Sequence, residues 1–128
     1  MNKLRDEFCQ LIKKKYPAIA GRADVEYERL WGDFTDSEYY SYSWFEALAN
    51  ALNEEMKQGI PASEYSNLFS TISANFEKGD ENIRQCIDVA FVENLFWQVP
   101  GGKASSYWAT LPEILKELYV DFHHRTPL

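Results

Sequence analysis

Histidine is scarce in this chain: the 128 residues include only His123 and His124, which are adjacent and close to the C-terminus. Adjacent residues do not share a helical face, and neither histidine has a cysteine or a paired histidine at metal-ligand spacing. A serine or cysteine nucleophile usually needs a neighbouring imidazole as its base. The shortage argues against metal-dependent and triad hydrolases, and both histidines are predicted to lie in a solvated tail.

Long hydrophobic runs are also missing. No stretch approaches the roughly 18 apolar residues of a membrane span, and the N-terminal segment 1–7 has no apolar core of a signal peptide. The two cysteines, Cys9 and Cys86, both stand in apolar helical patterns. They are predicted to be buried free thiols of a reducing compartment, with a Cys9–Cys86 disulfide as the open alternative. The predicted location is therefore cytoplasmic.

Cations are too few for a nucleic-acid or anionic-membrane partner. The chain has thirteen Lys and Arg residues and twenty Asp and Glu residues, which gives a net charge of −7. Nucleic acids and anionic membranes both bind cationic patches. The charge is uneven: residues 1–22 hold six cations and two acids (+4), and residues 23–64 hold two cations and ten acids (−8). The short run Lys13-Lys14-Lys15 is interpreted as the solvated end of the first helix.

What the chain does have is apolar side chains at helical spacing. Hydrophobic residues make up 45% of the sequence and aromatic residues 16%, enough for a packed core. The periodicity predicts an all-α fold: a single compact domain spanning residues 1–128, with about six helices around a central apolar helix at about 81–97. The predicted core positions are Leu4, Phe8, Leu11, Ile12, Trp31, Phe45, Leu48, Leu52, Met56, Tyr65, Leu68, Phe69, Ile72, Phe76, Ile83, Cys86, Ile87, Ala90, Phe91, Leu95, Ile114, Leu115, Leu118, Tyr119 and Phe122.

Several residues predict where helices begin and end. Asp24 is predicted to cap a short second helix that stops at Gly32, and Asp80 to cap the central helix. Pro112 is predicted to open the last helix. The stretch from Gly101 to Ala104 faintly resembles a phosphate-binding loop, but it lacks the required earlier glycine and the Ser or Thr after the lysine. It is predicted to be a helix-breaking turn, followed by a short helical turn over 104–108.

The acidic residues lie mainly in one segment, between Asp24 and Glu64, where ten carboxylates and eight aromatic side chains accompany two cations. Such self-repulsion costs stability, so a protein that keeps it often uses the field on a positively charged partner. Tyr and Trp are also the residues that dominate protein interfaces. The predicted partner-binding residues lie in a loop before the third helix and are Asp33, Asp36, Glu38, Tyr39, Tyr40, Tyr42 and Trp44. The alternative is a solvated acidic face whose aromatic residues belong to the core.

Catalytic, cofactor and metal residues are not predicted anywhere. The acids after Asp33 loosely resemble a calcium loop, yet the required glycine at position six and glutamate at position twelve are replaced by Glu38 and Trp44. Asp88 and Glu93, on the apolar helix, are catalytic candidates if they are buried. Otherwise they form an exposed strip or pair with Arg84 or Lys103.

Two stretches carry a family resemblance. The segment 87–96 (IDVAFVENLF) followed by 111–119 (LPEILKELY) is similar to a group of small bacterial helical proteins, over roughly residues 44–122. Acidic helical proteins of this kind resemble the immunity proteins of bacterial contact-dependent inhibition and related polymorphic toxin systems. The resemblance implies that the partner is the toxic C-terminal domain of an exported effector. Such a domain is frequently a basic nuclease, and the immunity protein occludes its active site. It implies no enzyme activity and no cofactor.

Two other functions remain open on the sequence alone. One is a helical adaptor or regulatory protein without a toxin partner. The other is an enzyme that works through Asp88 and Glu93.

Overall fold

Helices account for almost all of the chain that the structure, a computed structural model, describes, namely residues 3–32 and 39–128. Those ranges contain seven α-helices and no strand, so the all-α prediction is confirmed. The helix count of about six is slightly low, because residues 101–110 form a full helix and not a single turn. The helices are α1 (Lys3–Lys15), α2 (Pro17–Trp31), α3 (Tyr40–Lys57), α4 (Ser66–Lys78), α5 (Glu81–Gln85), α6 (Gly101–Thr110) and α7 (Glu113–His123). None of the helices described is long and apolar enough to cross a membrane.

Helix α3 lies at the centre of the hydrophobic core. Its predicted stripe is confirmed, since Phe45, Leu48 and Leu52 are all fully buried. Helices α1, α2 and α6 and the segment 86–94 pack around it. One contiguous cluster of buried side chains reaches from α1 to α7.

Helix α2 begins about two turns earlier than the sequence predicts. Pro17 occupies its first turn, where the fixed φ of proline suits the helix and no N–H is needed. Asp24 therefore lies in mid-helix, and its predicted capping role is wrong. The end at Gly32 is confirmed, with φ +67°. Trp31 is the last residue of the helix and 49% exposed, so its predicted core position is also wrong.

The edges of other predicted stripes are exposed as well. In α1, Phe8 and Ile12 are buried, but Leu4 and Leu11 are about half exposed. In α7, Leu115 and Tyr119 are buried while Phe122 is 52% exposed. In both helices the middle of the apolar stripe faces the core and its margins face outward.

The predicted central helix over 81–97 is neither a continuous α-helix nor buried along its whole length, and α3 takes the central place instead. The α-helical part ends at Gln85, a π-helical segment spans Cys86–Phe91, and a 3₁₀ turn spans Val92–Asn94. The predicted cap is confirmed, because Asp80 Oδ1 accepts a hydrogen bond from the Ile83 N–H at 2.9 Å. The π turn shifts the register of the side chains that follow it, and π segments are frequent at functional sites.

Both cysteines are free and buried, as predicted. Burial raises the pKa of Cys9 to about 12 and raises that of Cys86 even further. Because the thiolate is the reactive form, these side chains serve packing and not chemistry.

Two predictions near the C-terminus are corrected. Gly101, Gly102 and Lys103 form the first turn of α6, after Pro100, and not a helix-breaking turn. His123 closes α7, with its Nε2 3.2 Å from the Glu93 carbonyl oxygen and its ring 4.1 Å from that of Tyr119. Only His124, exposed and with φ +59°, fits the predicted solvated tail.

Gly79, between α4 and α5, allows a close approach that a larger residue would prevent. A Cβ atom there would lie 2.4 Å from the Asn75 carbonyl oxygen and 2.7 Å from Ile83 Cγ2. We expect Gly79→Ala to lower the free energy of unfolding by about 1–3 kcal/mol, because backbone atoms must move apart. Urea denaturation followed by circular dichroism measures the change.

Gly21, on the exposed face of α2, is the matched control. A Cβ there meets nothing within 4 Å, so Gly21→Ala should raise the free energy of unfolding by about 0.5–1 kcal/mol through helix propensity. Equal stability of Gly79→Ala and the native protein would contradict the packing at this junction.

Candidate functional site

The predicted partner-binding residues do not share one environment. Asp33, Asp36 and Glu38 lie outside the described residues. Tyr39 is exposed just before α3, whereas Tyr40 and Tyr42 are half-buried, so all three tyrosines keep some accessible surface. Helix α3 begins at Tyr40, so the predicted loop does not extend to Trp44.

Trp44 is fully buried within α3, which contradicts its predicted place among the partner-binding residues of a loop. Its Nε1 donates a hydrogen bond to Asp24 Oδ1 at 2.8 Å, and Lys13 Nζ lies 3.4 Å from the same oxygen. Because α3 starts at Tyr40, Trp44 precedes Leu48 by one helical turn and shares its buried face. Trp44 therefore joins α1, α2 and α3 and is not accessible to a partner.

Part of the acidic segment is neutralised within the fold. Asp24 pairs with Lys13, and Glu55 pairs with Arg22 at 2.8 Å. Both cations come from the basic segment 1–22, so part of the uneven charge of the sequence is balanced within the fold, by one pair between α1 and α2 and one between α2 and α3. Two further pairs lie within single helices, Glu26–Arg29 at 2.6 Å and Glu54–Lys57 at 3.4 Å. Within the described residues, the carboxylates of this segment without an ion pair are Glu28, Glu46 and Glu64.

Glu55 is the buried member of an adjacent pair of glutamates. The Tyr65 hydroxyl and the Arg22 guanidinium both donate to Glu55 Oε1, while Glu54 is exposed. Burial, followed by the hydrogen bond to Glu55, raises the pKa of Tyr65 above its usual range. This arrangement holds α2, α3 and the turn over 62–65 together.

A pocket of about 390 Å³ lies between α2, α3 and the turn over 94–98. Its lining combines carboxylates, cations, side-chain amides and two exposed apolar side chains. The lining residues are Glu26, Arg29, Leu30, Glu46, Asn50, Asn53, Glu54, Lys57, Asn94, Trp97 and Gln98. The sequence did not predict this pocket, since the residues come from three separate parts of the chain.

The turn over 94–98 is conformationally strained. Phe96 and Gln98 have φ values of +67° and +55°, a region that costs side-chain-bearing residues about 1–2 kcal/mol each. The Asn53 side chain fixes the turn: its Oδ1 accepts from the Phe96 N–H at 2.7 Å and its Nδ2 donates to the Asn94 carbonyl at 2.9 Å. Asn53 itself is buried.

The positive φ angles of this turn direct two neighbouring aromatic side chains to opposite environments. Phe96 is buried against Trp108 and Tyr119, at ring-centroid distances of 5.9 and 5.4 Å. Trp97, between the two residues of positive φ, is 64% exposed at the edge of the pocket. Residues held in sparsely populated backbone regions concentrate at binding and catalytic sites, and this turn is therefore the best candidate for function.

Glu46 is the unusual carboxylate of the pocket. It is half-buried, and burial raises its pKa. The two cations that line the pocket, Arg29 and Lys57, are engaged by Glu26 and Glu54. In the two described ranges Glu46 makes no hydrogen bond or ion pair of its own.

Comparison with known proteins places the chain in a family. Residues 9–125 match the profile of a domain of unknown function, DUF7674. The chain belongs to the DUF7674 family. No curated protein and no solved structure matches it. The family description states neither an activity nor a partner, so the function has to be argued from the geometry.

Asp88 and Glu93 of this DUF7674 domain are half-buried, and Asp88 lies near a third carboxylate, Asp121. Burial raises the pKa of both, with a smaller contribution from Asp121 at Asp88 and from Asp88 at Glu93. Neither pairs with Arg84, which donates instead to the carbonyls of Phe76 and Glu77. Nor does either line the pocket beside Trp97. Over residues 3–32 and 39–128, no group of three or more His, Cys, Asp or Glu is arranged to hold a metal ion.

Proposed function

We propose that this DUF7674 domain is a protein-binding module that neutralises a cationic partner. The observation that carries the proposal is the pocket flanked by Trp97 and Leu30, which are 64% and 41% exposed. Large side chains of this kind form the centre of protein interfaces, with polar groups around them. Here the surrounding polar groups are the carboxylates and amides of α2, α3 and the turn over 94–98.

The distribution of charge supports a basic partner. The protein carries a net charge of −7, and Glu28, Glu46 and Glu64 have no ion pair within the described part of the chain. Carboxylates without an internal cation contribute fully to the external field, and such a field accelerates the encounter with a positively charged protein.

The surface extends toward the connection between α2 and α3. Trp31 and Tyr39, the described aromatic residues on either side of that connection, are both largely exposed. The acids predicted to bind a partner, Asp33, Asp36 and Glu38, lie between them in the sequence. These three acids remain part of the proposal as residues that would meet a cationic partner.

The specific partner that we propose is the toxic C-terminal domain of an exported effector, in keeping with the resemblance to immunity proteins. Such a domain, when it is a nuclease, has a cationic cleft for phosphate that carboxylates can occupy. The immunity protein then acts by occlusion and needs no catalytic groups of its own.

Co-expression tests this function directly. The toxic domain encoded by the neighbouring effector gene should arrest growth when expressed alone, and co-expression of the DUF7674 domain should restore growth. The association rate of the purified pair should fall at least about tenfold between 50 and 500 mM salt, because charge steering is screened. Binding without rescue would favour an adaptor, and absence of binding would refute the proposal.

A further inference from the structure

We propose that the pocket between α2, α3 and the turn over 94–98 receives the guanidinium group of a partner arginine. The inference rests on the proposed function in that the arginine belongs to the partner protein. It goes further by naming the group recognised and the residues that recognise it: Glu46, Asn50, Trp97 and Gln98.

The charge of the pocket favours a cation. Three carboxylates and two cations line it, and each cation already has a glutamate three residues earlier in its own helix. Glu46 is the lining carboxylate that has no ion pair within the described residues. A half-buried carboxylate gains more from an arriving cation than an exposed one does, because less water screens the pair.

Hydrogen-bond acceptors favour guanidinium over ammonium. Guanidinium presents five N–H donors in one plane and lacks acceptors of its own. Glu46 offers two carboxylate oxygens, and the side-chain amides of Asn50 and Gln98 offer two more acceptors. Asn53, by contrast, is already occupied by the backbone of the turn.

Trp97 supplies a surface for the flat face of the group. Guanidinium stacks on indole and is more weakly hydrated than ammonium, so its transfer from water into the pocket costs less hydration free energy. The turn, held by the two Asn53 hydrogen bonds, places Trp97 at the edge of the pocket. A volume of about 390 Å³ is near the lower end for ligand pockets and suits one side chain.

The test uses the intact protein and three small probes of similar shape: Nα-acetyl-arginine amide, its lysine counterpart and its citrulline counterpart. Citrulline replaces the guanidinium by a neutral urea of nearly the same size. Nuclear magnetic resonance follows the indole N–H of Trp97, assigned through a Trp97→Phe variant. We expect the arginine probe to shift this signal saturably, the lysine probe to bind several-fold more weakly, and the citrulline probe to leave it unchanged.

Two matched variants examine the carboxylate. Glu46→Gln should weaken arginine binding at least about tenfold, as expected for the loss of a charge-assisted hydrogen bond. Glu117→Gln, an exposed change on α7 outside the pocket, should leave it unchanged. Thermal unfolding checks that both variants fold. Equal binding of arginine and citrulline, or unaltered binding by Glu46→Gln, would overturn the inference.

Failure of this inference and failure of the proposed function are distinguishable. If the arginine probe binds but the toxic domain does not, the pocket keeps its specificity and the proposed function fails. If the toxic domain binds equally well to the native protein and to Glu46→Gln, and the arginine probe does not compete, the guanidinium site is refuted while the function stands.

Discussion

Asn53→Ala should lower the free energy of unfolding by about 2–4 kcal/mol. The substitution leaves the Phe96 N–H and the Asn94 carbonyl without their partner, and a buried polar group left unsatisfied costs about 1–3 kcal/mol. It also frees the strained turn, so the amide hydrogens of residues 95–98 should exchange faster with solvent. Urea denaturation and hydrogen exchange measure the two effects.

Asn50→Ala is the control for this prediction. Asn50 lines the same pocket from the same helix but makes no hydrogen bond within the described residues. Its replacement should change stability by less than about 0.5 kcal/mol and leave the exchange of residues 95–98 unaltered. Similar losses for the two variants would contradict the role assigned to Asn53.

Glu55→Ala should destabilise the protein by a comparable amount, about 2–4 kcal/mol. The Tyr65 hydroxyl would remain buried without an acceptor, and that group accounts for most of the cost. The Arg22 side chain is largely exposed and returns to water with little penalty. The loss should persist in 1 M salt, because hydrogen bonding and not screened charge attraction is removed.

A double-mutant cycle separates these contributions. Tyr65→Phe removes the orphaned hydroxyl, so Glu55→Ala combined with Tyr65→Phe should be more stable than the sum of the single losses by about 1–2 kcal/mol. The neighbouring exposed glutamate provides the comparison, since Glu54→Ala should change stability by less than about 0.5 kcal/mol. Strict additivity in the cycle would argue against a direct Glu55–Tyr65 interaction.

Local features of the fold could be read from the sequence. The cap at Asp80, the helix end at Gly32 and the start of α7 after Pro112 depend on contacts within a few residues, so their signals are local. The stripe of α3 from Phe45 to Met56 was equally clear, because a strongly periodic helix has only one face to bury.

The two misplaced tryptophans have a different cause. The tyrosines before Trp44 have strand propensity, and this local signal predicts a loop and not a helix. Because α3 begins at Tyr40, Trp44 instead lies on the buried face of that helix. Trp31 follows the buried Tyr27 by one turn, so its spacing suggested burial. It is the last residue of α2, however, and periodicity does not record whether another element covers a helix end.

The candidate site could not be predicted because long-range contacts create it. The run Leu95-Phe96-Trp97 has the composition of the end of an apolar helix, whereas Asn53, more than forty positions earlier, hydrogen-bonds the turn that exposes Trp97. The net charge of the segment between Asp24 and Glu64 likewise overstates the number of unpaired carboxylates. Lys13 and Arg22, which lie outside the segment, form ion pairs with Asp24 and Glu55.

The most direct test of the account compares Trp97→Ala with Phe122→Ala in binding to the toxic domain. Both side chains are aromatic and more than half exposed, but only Trp97 borders the pocket. We predict that Trp97→Ala raises the dissociation constant by about 30-fold or more, as for a central interface tryptophan, and that Phe122→Ala changes it less than about threefold. Equal effects of the two substitutions, or a larger effect of Phe122→Ala, would contradict the proposed interface.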